Sequence, residues 1–182
     1  VSPDQIFTEY AYFSSYSDSW LAHAKAYTGL MVERFGLGRD SLVVELASND
    51  GYLLQYFLER GVPVLGVEPA ANVARKAIDK GVPTLVQFFG RELAASMVRD
   101  GTQADLILGN NVLAQVPDVC SFVAGMKTLL KPQGVITLEF PHLMRLMEGN
   151  QFDTIYHEHF SYFSFITTRA ILARFGLTVF DV

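Results

Sequence analysis

Two stretches of this sequence have residue types and spacing that could do chemistry. The first is Leu42 to Gly51, Leu-Val-Val-Glu-Leu-Ala-Ser-Asn-Asp-Gly. Its apolar, β-branched first half suits a buried central strand, and its small polar second half leads into a helically spaced run, Tyr-Leu-Leu-Gln-Tyr-Phe-Leu-Glu-Arg. Strand, small-residue turn and helix bring backbone close to a ligand and aim a helix N-terminus at it, the geometry of a nucleotide-type cofactor site. The second stretch is Tyr156-His157-Glu158-His159. Histidine ionises near neutrality and can take a proton, while tyrosine can donate a hydrogen bond to a developing oxyanion. Two other readings of the histidines stay open. They can be structural polar groups on a loop. They can also hold a metal, because alternate histidines in an extended segment point the same way and His142 offers a third ligand.

The elements that must position these groups alternate along the chain. Ser17 to Ser19 can cap a helix from about Trp20 to Phe35, with Leu21, Ala24, Leu30, Met31 and Phe35 as its inner face, and Gly36 and Gly38 end it. After the central strand, further strands are expected over 62–67, 84–88, 105–108 and 135–140. Helices are expected over 52–60, 70–80 and 91–100, from Pro117 and Asp118 through Leu130, and over 167–175. Lys131-Pro132-Gln133-Gly134 reads as a turn, and Thr178 to Val182 as a final strand.

Such alternation means an α/β fold: a doubly wound, mostly parallel sheet flanked by helices on both faces, which binds ligands at its carboxyl edge. Glu68-Pro69 ends the second strand, where a carboxylate accepts hydrogen bonds from both ribose hydroxyls. Gln87, Phe88 and Phe89 follow the third strand and can flank an adenine, and Gly109-Asn110-Asn111 brings amide side chains to the end of the fourth. Residues 3–19, with Phe7, Tyr10, Tyr12, Phe13 and Tyr16 among serines, show no clean period. They either pack on the domain or form a lid over the cofactor site.

Half of the 182 residues are hydrophobic, enough to bury one sizeable core. A net charge of -5 and a pI near 5.3, with no Lys/Arg cluster, argue against nucleic acid or an anionic membrane as a partner. No uninterrupted apolar segment approaches the roughly 18 residues of a membrane span, and no secretory leader is recognised. Cys120 alone excludes a disulfide framework or a cysteine-based zinc cluster. A soluble, reducing, cytoplasmic setting is expected. The chain opens on Val1 and closes on a strand with nothing after it, so truncation at both ends is expected.

Glu45 followed by Ala47, Asn49 and Gly51 at alternate positions resembles the first motif of class I S-adenosylmethionine (SAM) methyltransferases, with two glycines replaced. A carboxylate at the strand's end suits the ammonium of a methionine moiety and would repel a pyrophosphate, which disfavours a nicotinamide dinucleotide. One subgroup is closer. Tyr12-Phe13-Ser14-Ser15-Tyr16, Glu45 to Gly51, Gly109-Asn110-Asn111-Val112-Leu113 and Phe152 to Phe160 are similar to the sugar C-methyltransferases of deoxysugar biosynthesis. The resemblance implies a SAM-binding domain over 1–182 with residues 1–19 as its lid, a sheet in the order 3-2-1-4-5, and a missing seventh strand. It implies methyl transfer to a ring carbon beside the keto group of a nucleotide-linked sugar, with His159 as the base. Glu158, Tyr156 and Tyr12 are its implied neighbours, and Tyr12 or Tyr156 is the donor to the oxyanion. Cofactor contacts are implied at Glu45, Ala47, Asn49, Gly51, Glu68, Pro69, Phe88, Asn110 and Asn111. No metal is implied. The family's cysteine-rich N-terminal domain and its C-terminal domain lie outside this sequence, and Gln115 stands where the pattern has a histidine. Two alternatives are a class I methyltransferase acting on oxygen or nitrogen of a small molecule and a non-catalytic SAM-binding domain.

Overall fold

A computed structural model describes residues 3–182. Five parallel strands lie in the order β3-β2-β1-β4-β5: β1 (Val43–Leu46), β2 (Val64–Val67), β3 (Thr84–Leu85), β4 (Ala104–Asn110) and β5 (Leu130–Glu139). Val43 of β1 pairs with Val64 on one side and Leu106 on the other. All four residues of β1 are buried, as expected of a central strand covered on both faces. Successive residues of a strand point to opposite faces, so Val43, Leu106 and Leu108 join one core and Val44, Leu46 and Ile107 the other.

The first core is covered by α2 (Asp18–Phe35), α3 (Leu54–Glu59) and α4 (Ala71–Asp79). The second is covered by α5 (Arg91–Arg99), α6 (Val119–Leu129) and α8 (Phe165–Arg174). Two short helices, α1 (Pro3–Phe7) and α7 (Leu143–Glu148), complete the set among the described residues. The Ser17 hydroxyl caps α2 by accepting from the Trp20 N–H, and Gly36 closes it at φ +60°. Asp118 and Ser164 accept from the third residue beyond them at the starts of α6 and α8.

Several expected boundaries are corrected. β3 ends at Leu85, because Val86 and Phe88 turn out to the surface, 45% and 44% exposed. β4 continues through Asn110, because Gly109 and Asn110 still find partners in Leu138 and Glu139. The expected turn at 131–134 belongs to β5, which meets β4 across a register shift between Ala104 and Leu106. Lys131 is anchored there by an ion pair to Asp105 at 2.7 Å. Leu30, placed on the inner face of α2, is 56% exposed; Ala24, Thr28, Gly29 and Met31 are the buried positions. Thr178 to Val182 form no strand. They run beside α2 instead, where Arg34 holds Asp181 at 2.6 Å and lies over the Phe180 ring.

Candidate active site

The turn after β1 carries three left-handed residues at alternate positions: Ala47 (φ +56°), Asn49 (φ +49°) and Gly51 (φ +75°). These are the three positions that the sequence pattern marks for glycine. At Gly51 glycine is retained because an added Cβ would also lie 3.0 Å from Val82 and 3.2 Å from Ala77. Ala47 and Asn49 bear a cost of about 1–2 kcal/mol each in that conformation. Backbone bonds hold them there. Ala47 N–H donates to the Val67 carbonyl at 2.8 Å, and Asn49 N–H donates to Glu68 Oε2 at 2.9 Å. The second Glu68 oxygen accepts from Ala70 N–H at 2.8 Å. Burial pushes the Glu68 carboxyl above its ordinary range, opposed by those two N–H groups. Glu68 therefore clamps the turn to the end of β2.

A cavity of about 490 Å³ opens at this carboxyl edge of the sheet. Ala47, Asn49, Glu68, Pro69, Phe88, Asn110, Asn111 and Tyr12, all singled out in the sequence, line it, as does Gln115. Glu45 and Gly51 are not on its wall. Glu45 lies fully buried behind it, with no hydrogen-bond partner for either oxygen among the described residues. Burial pushes its carboxyl well above the usual range, opposed by the neighbouring Tyr52 hydroxyl and reinforced by Glu68 and Asp50. The described lining residues include two carboxylates, Glu68 and Asp118, and no lysine or arginine. Such a wall favours a cationic ligand over an anionic one.

The N-terminal segment crosses this cavity as a strap. Asn72 takes both polar atoms of the Tyr10 backbone: its Oδ1 accepts from Tyr10 N–H at 3.0 Å, and its Nδ2 donates to the Tyr10 carbonyl at 2.7 Å. Asn49 holds the next part, accepting from Ser14 N–H and donating to the Tyr12 carbonyl, both at 3.0 Å. Lys80 bridges Ser15 Oγ at 2.7 Å to the Asp50 carbonyl at 2.9 Å. Asn49 thus has two tasks, a left-handed corner in the turn and an anchor for the strap.

The Tyr156 to His159 segment is not on the cavity wall but is tied to its rim. Tyr10, a wall residue, donates its hydroxyl to Glu158 Oε2 at 2.8 Å. Burial first, and this bond second, push the Tyr10 phenol up. Phe160 and Ser161 N–H groups donate to the Ala114 carbonyl at 2.8 and 3.2 Å, beside Gln115. His159 is partly buried between Tyr156 (ring centroids 4.5 Å apart) and Tyr162 (5.8 Å). Its Nδ1 lies 2.9 Å from the Thr154 carbonyl. A carbonyl only accepts, so Nδ1 carries the proton and Nε2 is left with a free lone pair. His157 is exposed.

A family model described as a methyltransferase domain matches residues 20–182. The chain belongs to that family. S-adenosylmethionine is the cofactor that goes with this membership. The chain is 40% identical over its whole length to a protein named C-methyltransferase NovU from Streptomyces niveus, and it spans 43% of that relative's length. Among solved structures, a SAM dependent methyltransferase from Archaeoglobus fulgidus has the same fold, with a TM-score of 0.69 at 17% identity over 86% of this chain and 68% of that one. The magnesium protoporphyrin IX methyltransferase of Synechocystis PCC 6803, with bound SAH, gives 0.64 at 16% identity over 88% and 74%.

In this methyltransferase domain His142 is committed elsewhere: its Nε2 accepts from Phe165 N–H at 3.1 Å at the start of α8. Its Nδ1 is buried without a hydrogen-bond partner, and no group of His, Cys, Asp or Glu side chains that could hold a metal ion occurs among the described residues. Among the described residues, no helix is long and apolar enough to cross a membrane. The sequence places the wall residue Tyr10 only within a possible lid, and assigns the wall residues Trp20 and Tyr52 no role in the site. Trp20 stacks on Tyr52 at 6.0 Å, and Tyr52 approaches Asn110 at 3.4 Å. The Tyr10 contact with Glu158 joins residues 148 apart, beyond any periodicity.

Proposed function

We propose that this domain transfers a methyl group from SAM to the carbon beside the keto group of a nucleotide-linked deoxysugar. The observation that carries the reading is His159: a partly buried imidazole whose Nδ1–H is committed to a backbone carbonyl and whose Nε2 is free to take a proton. Oxygen or nitrogen methylation needs little beyond a positioned nucleophile and leaves that arrangement without a use. The name of the 40% identical relative, a C-methyltransferase, supports the same side.

The residues present fit the cofactor. Glu68 reaches the cavity with acceptor capacity for a ribose diol, Pro69 flanks it, and Phe88 offers an apolar face for an adenine. Asn110 and Asn111 present amides on the same edge. Glu45, buried behind the wall, supplies negative potential toward a cationic methionine end once that charge draws it into its ionised form. When bound, SAM supplies an electrophilic methyl on a sulfonium.

On this reading His159 Nε2 removes the proton from the carbon beside the carbonyl. The hydroxyl of Tyr12, on the cavity wall, or of Tyr156, tilted against the His159 ring, donates to the enolate oxygen. Glu158 receives the Tyr10 hydroxyl and so holds the segment to the strap. A test that avoids the methyl step uses the full-length protein with S-adenosylhomocysteine and a nucleotide-linked 4-keto sugar in D₂O. The proton beside the keto group should exchange, His159→Asn should stop the exchange, and His157→Asn should not. Exchange that survives both substitutions would move the base elsewhere, with Glu158 next in line.

A further inference from the structure

The strap's height over the cavity is set by polar anchors rather than by burial. Residues 8–13 have no helix or strand, and Tyr12 is 56% exposed. A carboxamide presents an acceptor and a donor side by side, and Asn72 uses both on one residue, Tyr10, at 3.0 and 2.7 Å. Those two bonds fix both the position and the rotation of the Tyr10 backbone. The phenol that springs from it then has one reach, and at the end of that reach lies Glu158, 2.8 Å away. Asn72 itself sits at the start of α4, is exposed and is not on the cavity wall. Its helix is seated in the core by Val73, Ala74 and Ala77, all fully buried, so the clamp is mounted on a rigid element.

We propose that Asn72 is a positioning residue: by gripping both polar atoms of the Tyr10 backbone it sets where the Tyr10 hydroxyl meets Glu158, and so holds the Tyr156 to His159 segment at the cavity rim. The inference rests on the reading of that segment as the reactive one. It makes α4, which contributes no side chain to the cavity, a determinant of rate.

The test uses the full-length protein with Asn72→Ala and Asn72→Asp, each alone and combined with Tyr10→Phe. For Asn72→Ala, kcat should fall roughly 10- to 100-fold while S-adenosylhomocysteine affinity changes less than about threefold, because a displacement of about 1 Å in a positioned group costs rate rather than cofactor binding. Asn72→Asp should do no better than alanine, since its second oxygen would face the Tyr10 carbonyl. In the Tyr10→Phe background Asn72→Ala should cost little more, the non-additivity of residues acting on one contact. Amide hydrogen exchange with S-adenosylhomocysteine bound should speed up in peptides covering 8–16 and, together with them, 154–162. An unchanged kcat, additive losses, or a wild-type rate for Asn72→Asp would overturn the proposal. If the wild-type protein methylates no keto sugar, the proposed function falls and hydrogen exchange decides the clamp. Faster exchange in both segments upholds it, and faster exchange in the strap alone, or in neither, overturns it.

Discussion

The cofactor turn and the Tyr156 to His159 segment lie at the same edge of the sheet and are held in opposite ways. The turn is buried from Ser48 to Gly51 and wedged between β2 and α4. Glu68 fastens it by accepting from Asn49 N–H through Oε2 while Ala70 N–H holds Oε1, and Lys80 adds a bond to the Asp50 carbonyl. The histidine segment has no regular structure, and Tyr156, His157 and Phe160 are exposed. Its ties are few: Tyr10 to Glu158, the Ala114 carbonyl, and the Thr154 carbonyl beneath His159. On the proposed reading, the difference teaches that cofactor recognition is part of the fold's own packing, whereas the reacting end is hung on single hydrogen bonds. Chemistry should therefore be far easier to remove than cofactor binding.

The largest test of that contrast is His159→Asn in the full-length protein. Methyl transfer should fall by about 10²–10⁴, the usual worth of a positioned general base, with SAM affinity by calorimetry within a factor of about two. A parallel loss of cofactor binding would join the two regions that the geometry keeps apart. Glu68→Ala attacks the other region. Losing a charged acceptor should weaken SAM binding by roughly 1–3 kcal/mol, and because the same oxygens hold Asn49 and Ala70, the melting temperature should drop too. Glu68→Gln keeps one acceptor and should weaken binding less. Unchanged affinity in both variants would remove the ribose from that position.

The buried carboxylate behind the turn makes the comparison sensitive to pH. Glu45 has its folded pKa raised by burial, so its proton is bound more tightly in the native state. The stabilisation this gives is present below the ordinary carboxylate range and is lost as pH rises through the raised value. In the ligand-free domain Glu45→Gln should thus melt higher than the parent at pH 8, with the gap closing toward pH 5. A gap that is constant with pH would mean that Glu45 does not titrate in that window. The smallest effect is expected of Ala47→Gly. Relief of about 1 kcal/mol of left-handed strain is offset by a freer unfolded chain and a lost methyl contact, leaving stability within about 0.5 kcal/mol. A larger loss in chemical denaturation would show that the methyl is seated in the core.

Much of the cofactor region is legible in the amino-acid sequence. Alternating apolar runs and helical spacing are local, and they place β1, β2 and the helices α2 to α6 within a few residues. The pattern Ala47, Asn49, Gly51 marks three corners that all adopt positive φ, because a turn this tight leaves few conformations to choose from. Boundaries shift where pairing overrides local signals, as at Lys131 to Gly134, whose turn-like composition is drawn into β5 by β4.

What the sequence determined by itself was the strand–turn–helix order, the carboxylates Glu45 and Glu68 at strand ends, and the presence of a Tyr-His-Glu-His set. These follow from residues near one another along the chain, where propensity and spacing act. Tertiary structure alone decided that Glu45 lies behind the cavity wall and not on it. It also decided that His142 is occupied at the start of α8, that His159 rather than His157 has a fixed tautomer, and that Tyr10 meets Glu158 across 148 residues. Each of these depends on burial or on a single hydrogen bond between distant segments. Such contacts exist only once the sheet has brought the segments together, and leave no periodic trace in the chain.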